Sequence, residues 1–320
     1  MSKPVIFLFS GQGSQSYQMG AEIYHHDAIF RMWMDKLDEI ATDLMGESVI
    51  RYVYDEKERH AVFDQLKYSH PAIFMFEYSL VQLLLERGLE PDFVIGASLG
   101  EFTSAVVAGV IDVEVALHLI IKQAAVLESY CPDGAMLAIL GAPNLYHQVG
   151  LINKNSEIAA INYHSHFVVS GKKQNLEQIV LGLKRDSIPY QFLPVSKGFH
   201  SSLIESAKSV YLSYLYAEAY RPAQIPFISC VTGRSLKEIP EDYFWQVMRK
   251  PIMFRKAIVE LEKRQDNNTY IDLSASGTLA TFTKYNLGKQ SRSCSFALCT
   301  PFGQKLNRIE RIILKAGIRG

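Results

Sequence analysis

The sequence predicts an α/β protein: a mostly parallel sheet covered by helices, with a smaller β-α-β-β-α-β unit inserted in mid-chain. Three observations carry this. Short β-rich runs alternate with long helical patterns toward both ends of the chain. Between Gly134 and Pro194 the order becomes strand, helix, two strands, helix, strand. After Pro194 the longer alternation resumes. Strands joined through helices need crossovers, and crossovers lay helices on both faces of a parallel sheet.

Taken in order, VIFLF (5–9) is a buried strand running into the Ser10-Gly11-Gln12-Gly13 loop. Helical patterns follow at 27–46 and 71–87, with Pro71 suited to a first helical turn. FVIGAS (93–98) is the next strand, Leu99 to Gly109 the helix after it. A further helix runs from Val113 to about Tyr130, with Asp112 as its expected N-cap. The middle then reads as strand AMLAIL, a helix near 143–151, strands EIAAIN and HFVVSG, a helix at 174–185 and strand YQFLPV. That order resembles a ferredoxin-like unit. The final part predicts helix 201–218, strand IPFISC, a helical turn near 242–249, helix 254–264, strand TYIDLS and helix 278–286. The last ten residues read as an amphipathic helix. The expected division is a large subdomain from 1–132 and 195–320, and a small one from 133–194.

The chain has 320 residues, 48% apolar and 21% charged, with formal net charge zero. That length supports a full hydrophobic core. Zero net charge argues against a nucleic-acid or anionic-membrane binder held by bulk electrostatics. Cys131, Cys230, Cys294 and Cys299 form no CxxC pair, as in a reduced cytoplasmic protein. The apolar run Pro4–Phe9 is too short for a signal-peptide core, and Asp112 and Glu114 interrupt the most apolar longer segment. The expectation is a cytoplasmic monomer that contacts neither membrane nor nucleic acid.

The chemistry concentrates at Gly96-Ala97-Ser98-Leu99-Gly100, a Gly-x-Ser-x-Gly between a strand and a helix. Small residues at 96 and 100 permit a tight turn that lifts a hydroxyl above the sheet. The helix that follows aims backbone N–H groups at the same point. Ser98 therefore reads as a nucleophile or as a serine N-cap, and the strand-turn-helix context favours the nucleophile. A serine needs a base. His200, in VSKGFHS between a strand and a helix, is the candidate among nine histidines. His164 and His166 could suggest a metal pair, but no third ligand is evident and no metal is expected.

Several ordered motifs together make the chain similar to the malonyl-CoA:acyl carrier protein acyltransferase family. FSGQGSQ (9–15), SHPAIFMFEYSL (69–80), GASLGEF (96–102), AINYHSHFVVSG (160–171), VSKGFHS, CVTG (230–233), FWQVMRKPIMF (244–254) and YIDLSASGTL (270–279) carry the resemblance over nearly the whole chain. It implies an α/β-hydrolase-like large subdomain with the ferredoxin-like one inserted, and a cleft between them. It also implies Ser98 as the acyl-accepting nucleophile and His200 as general acid/base, oriented by a main-chain carbonyl at Met253. Backbone N–H groups of Gln12 and Leu99 would form the oxyanion hole, and Asn162 would line the cleft with Phe199. The substrate would arrive on the phosphopantetheine arm of an acyl carrier protein or as an acyl-CoA, with no permanently bound cofactor.

Two departures matter. Family members that take malonyl groups carry an arginine twenty-five residues after the serine; counting from Ser98 gives Gln123. Lys122 cannot substitute, because one residue turns a helical side chain by about 100°. Ala97 replaces the usual histidine before the serine and widens the entry. An arginine-less subgroup of polyketide pathways clears stalled acyl groups from carrier proteins by hydrolysis, and GASLGEF, KQAAVL and GAMLAIL resemble it. The expected activity is hydrolysis of uncharged acyl groups from carrier-protein thioesters. The alternatives are an acyltransferase loading acetyl or malonyl units, and a catalytically silent scaffold. Lys197, Lys250 and Arg255 are the candidates for a basic rim facing an acidic carrier.

Overall fold

The computed structural model describes residues 3–54, 61–301 and 306–316. In chain order its strands are β1 (Val5–Phe9), β2 (Phe93–Gly96), β3 (Ala135–Ile139), β4 (Glu157–Tyr163), β5 (His166–Gly171), β6 (Tyr190–Phe192), β7 (Phe227–Ser229), β8 (Arg234–Leu236), β9 (Thr269–Asp272) and β10 (Cys294–Ala297). They form a six-stranded sheet in the order β10-β9-β1-β2-β7-β8 and a four-stranded sheet in the order β4-β5-β3-β6.

β1 shows why the large sheet has two covered faces. It pairs in parallel with β2 and β9, and all five of its residues are buried. Val5, Phe7 and Phe9 enter one core, while Ile6 and Leu8 enter a second core on the other side. A five-residue apolar run is what a strand buried on both faces requires. Only β8 runs antiparallel, as an edge hairpin on β7.

The small sheet is antiparallel throughout. Ala135, Leu137 and Ile139 of β3 pack with Phe167 and Val169 over the helix Lys173–Arg185. The alternate residues Met136, Ala138 and Val168 turn toward the large subdomain. Strand alternation thus gives this sheet one face for its own core and one for the cleft. Ile252, between the helices Tyr243–Arg249 and Phe254–Arg264, ties that part of the chain to β4, accepting from Ile161 N and donating to Ala159 O, each at 2.8 Å.

The helix Leu66–Glu86 is buried nearly all round and packs beside Ala28–Met45 and Val113–Tyr130. It begins five residues before the expected position, so Pro71 lies inside it. Proline forfeits one hydrogen bond near the helix start, and burial of Leu66, Ser69 and His70 sustains the preceding turn. Asp112 is the N-cap residue of Val113–Tyr130, as expected, but its side chain makes no capping bond; its carboxylate accepts from Arg221 at 2.6 Å. The segment expected as helix 201–218 is a 3₁₀ turn, Ser202–Ala207, followed by the helix Lys208–Leu215. The helix near 143–151 splits into Leu145–Gln148 and Gly150–Asn155. The terminal helix is Leu306–Ala316; the part of the expected 311–320 helix beyond it lies outside the described residues. Short helices at 21–26 and 49–53, and strands β8 and β10, were not expected. Among the described residues no helix is long and apolar enough to cross a membrane.

Candidate active site

The site begins with an elbow. β2 ends at Gly96, Ser98 takes φ 56°, and the helix Gly100–Val107 starts with Leu99 at its N-cap position. The glycines serve close approach rather than positive φ. A Cβ on Gly96 would lie 2.4 Å from the Glu101 backbone, and one on Gly100 would lie 2.2 Å from Phe9 O. Gly11 is similar: its Cβ would stand 2.9 Å from Ser98 Cβ. The strained residue is the serine itself, held in a left-handed conformation that non-glycine residues rarely adopt.

Ser98 Oγ lies 3.0 Å from His200 Nε2. His200 Nδ1 lies 2.8 Å from the Lys250 carbonyl. A carbonyl only accepts, so the proton sits on Nδ1 and leaves Nε2 as the acceptor for the serine hydroxyl. The His200 amide donates to Met248 O at 2.9 Å, which anchors the backbone of the same residue. Burial pushes the imidazole down to about 4, against an opposing contribution from the Lys250 carbonyl.

Met253 does not orient the histidine. Its carbonyl accepts from Ala257 N in the first turn of the helix Phe254–Arg264, and its amide donates to Cys230 O. Lys250 ends the preceding helix in an extended conformation (ψ 155°), and its carbonyl points out of the helical ladder toward the ring.

The amides of Gln12 and Leu99, expected as oxyanion donors, make no hydrogen bond among the described residues, and both residues line the cavity. The loop carrying Gln12 is tied down by Glu77, whose Oε1 accepts from Ser10 N at 2.7 Å and from Ser10 Oγ at 3.1 Å. Glu77 Oε2 accepts from Thr103, so the loop and the nucleophile helix share one buried carboxyl group. Glu101 plays the matching part below the elbow. It accepts from Cys230 N at 2.6 Å and Tyr243 OH at 3.0 Å, and burial pushes its carboxyl up to about 8.

The cavity holds about 460 Å³, within the usual range for a small-molecule site. Ser98, Ala97, Gln123, Asn162, Phe199 and His200 all line it. Gln123 is 3% exposed; its Nε2 lies 3.5 Å from His70 Nδ1, and Tyr211 OH lies 3.3 Å from its Oε1. Lys122 lies over the Tyr214 ring and is absent from the lining. Asn162 Nδ2 lies 3.1 Å from His166 Nδ1, and Asn162 O accepts from Asn286. Among the described residues the lining contains no Lys, Arg, Asp or Glu. Its three histidines, 70, 166 and 200, all have their basicity lowered by burial. The cavity is uncharged at neutral pH.

Lys197 cannot serve a basic rim: it is buried, donating to Cys131 O at 2.8 Å and pairing with Asp133 at 3.0 Å. Sequence reasoning also missed His70, Glu101, Tyr211 and the Lys250 carbonyl. His70 had one legible signal, a lone imidazole in the otherwise apolar SHPAIFMF. Among the described residues no group of three or more His, Cys, Asp or Glu side chains could hold a metal.

The arrangement can hold an acyl chain beside a base-activated serine and a pair of free amides. The comparisons with known proteins bear on the family and the fold. The family model described as an acyl transferase domain matches residues 6–299. The polyketide biosynthesis acyltransferase homolog BaeD of Bacillus velezensis is 45% identical over 313 residues, which are 98% of this chain and 96% of that protein. Its Bacillus subtilis counterpart PksD is 43% identical with the same coverage. The acyltransferase domain from module 8 of the salinomycin polyketide synthase superposes with a TM-score of 0.90 at 22% identity, covering 100% of this chain and 77% of that one. A loading acyltransferase from the avermectin polyketide synthase gives 0.89 at 24% identity, covering 99% and 100%. At those identities the structures speak for the fold, and the family model and Bacillus relatives for descent. This chain belongs to the acyl transferase domain family.

Proposed function

We propose that this chain is a serine enzyme of polyketide biosynthesis that hydrolyses uncharged acyl groups from acyl carrier protein thioesters. The observation that carries the reading is the uncharged cavity: Gln123 lines it, and among the described residues no Lys or Arg does. Gln donates a hydrogen bond but cannot neutralise a carboxylate. Leaving a buried carboxylate without its cation costs about 3–5 kcal/mol, roughly two to three and a half orders of magnitude against a malonyl group.

In this mechanism Ser98 Oγ attacks the thioester carbonyl while His200 Nε2 takes its proton. The Gln12 and Leu99 amides receive the developing oxyanion. Collapse breaks the C–S bond, and His200 returns the proton to the departing pantetheine thiol. Water then gives a proton to His200 as it attacks the acyl-serine; the free acid leaves and Ser98 regains its proton. The Lys250 carbonyl holds the imidazole and supports the positive charge it gains, in the place where other serine enzymes use a carboxylate.

Interception of the acyl-serine by a second carrier thiol instead of water would make the same site a transferase, the activity that the Bacillus relatives' names express. Purified protein incubated with acetyl and malonyl carrier proteins separates the two. Free acetate without acyl transfer is expected; transfer to a second carrier without free acid overturns the hydrolase. Gln123→Arg is expected to raise the malonyl-to-acetyl ratio of Ser98 acylation at least tenfold. Efficient malonyl acylation of the unaltered chain overturns the substrate argument. A serine-directed acyl label that leaves Ser98 unmodified would mark the chain as a silent scaffold.

A further inference from the structure

We infer that His70 selects acyl chains that carry an uncharged acceptor oxygen beyond the thioester carbonyl, such as a hydroxyl or a keto group. The inference rests on the cavity being the acyl site. His70 is 1% exposed yet lines the same cavity as Ser98. A buried polar ring needs partners, and one left without them costs stability. Nδ1 has one, the Gln123 amide nitrogen at 3.5 Å. Nε2 has none among the described residues.

Gln123 decides what that nitrogen offers. The Tyr211 hydroxyl stands 3.3 Å from both Gln123 Oε1 and the Leu119 carbonyl and shares its one hydrogen between them; with Oε1 on that side, the Gln123 NH₂ turns to His70. Nδ1 is then the acceptor, and a neutral imidazole with Nδ1 unprotonated carries its hydrogen on Nε2. Burial pushes the His70 imidazole down to about 3, so the ring stays neutral at any physiological pH. The site presents a neutral N–H beside the Phe199 ring, 5.9 Å from the imidazole, in a cavity that Leu99, Phe102 and Met136 also line.

Such a donor discriminates in both directions. An oxygen on the acyl chain gains a partner it would otherwise lose on leaving water. An unsubstituted alkyl chain buries the N–H with nothing to bond. A carboxylate gains the same hydrogen bond but no countercharge. Replacing the family's arginine with Gln123 therefore converts the end of the cavity from a cation into a neutral donor relayed through His70.

The test reads Ser98 acylation by intact mass, using butyryl and 3-hydroxybutyryl pantetheine thioesters. The ratio of the two rates is expected to fall about tenfold in His70→Leu and to recover in His70→Gln, which restores an N–H donor. A ratio that does not change in His70→Leu overturns the inference, as does a loss that His70→Gln fails to reverse. Nitrogen-15 imidazole spectra of the unaltered protein keep the test open if the variants do not fold. They should show His70 protonated on Nε2, and a ring protonated on Nδ1 overturns the inference. The proposed hydrolysis fails on a different readout, the fate of the acyl group after Ser98 is loaded.

Discussion

Ser98 and His200 both hold left-handed backbone, φ 56° and 58°, and their reactive atoms stand 3.0 Å apart. Two non-glycine residues in that region each carry about 1–3 kcal/mol of strain, which persists only where the surroundings over-determine the conformation. Here the surroundings are identifiable. Gly96 and Gly100 let the elbow close on itself and on Phe9, and the Met248 and Lys250 carbonyls hold His200 at its amide and its ring. Gln18 and Ser187 adopt the same conformation elsewhere, but of the non-glycine residues that line the cavity only Ser98 and His200 do so.

If the pair works as a unit, His200→Ala and Ser98→Ala each lower acyl-thioester turnover by about 10³-fold or more, and the double variant loses little beyond either single one. Steady-state rates on one acyl-pantetheine thioester check this. Additive losses would show that the two residues act separately.

A general base works when neutral. The His200 imidazole is pushed down to about 4 by burial, so it remains neutral well below pH 6.5. The rate of Ser98 acylation is expected to stay level from pH 7 to about 5 and to fall as pH drops through 4. Stopped-flow acylation across that range measures it. A midpoint near 6.5 would mean the ring is solvated in the working enzyme.

Gly100→Ala is expected to be worse than its size suggests. The added methyl would meet Phe9 O at 2.2 Å, backbone that a side-chain rotation cannot relieve. A loss of about 3 kcal/mol or more in urea unfolding is expected, with Ser98 labelling lost in whatever remains folded. Wild-type stability in this variant would mean that β1 and the elbow do not approach as closely as this.

Glu101 ties the nucleophile helix to Cys230, whose carbonyl holds Met253 and so the loop bearing Lys250. Its folded carboxyl lies at about 8, above the 4.5 of the free group. The folded state thus binds the proton more tightly, and stability contributed by this group is lost as pH rises from 4.5 through 8. Glu101→Gln should flatten that part of the pH–stability curve. Glu101→Ala, which leaves Cys230 N–H and Tyr243 OH without an acceptor, should cost about 2–3 kcal/mol relative to Gln. Urea midpoints between pH 5 and 9 distinguish the three chains.

The parts of the site that were legible lie within a few residues of chain. VIFLF, the Gly-x-Ser-x-Gly elbow and VSKGFHS each declare their local geometry, because alternation and close approach act over two to five residues. The succession of strands and helices along the inserted unit was legible for the same reason. β8 and β10 were not, being short edge strands at the rim of the large sheet. Glu77, Glu101 and Asp272, the three carboxyl groups sealed completely from solvent among the described residues, were not either, since an acidic residue in a sequence reads as surface.

By itself the sequence determined the elbow, the histidine that answers it and the missing positive charge at position 123, all of which depend on residue identity at a countable distance. The fold decided who meets whom. Lys250 rather than Met253 turns its carbonyl to His200, because the helix after Met253 claims that carbonyl while the helix before Lys250 ends without using the other. His70 faces Gln123 because the helices Leu66–Glu86 and Val113–Tyr130 lie side by side. Hydrogen bonds go to the groups that secondary structure leaves unpaired, and that remainder exists only once the chain has folded.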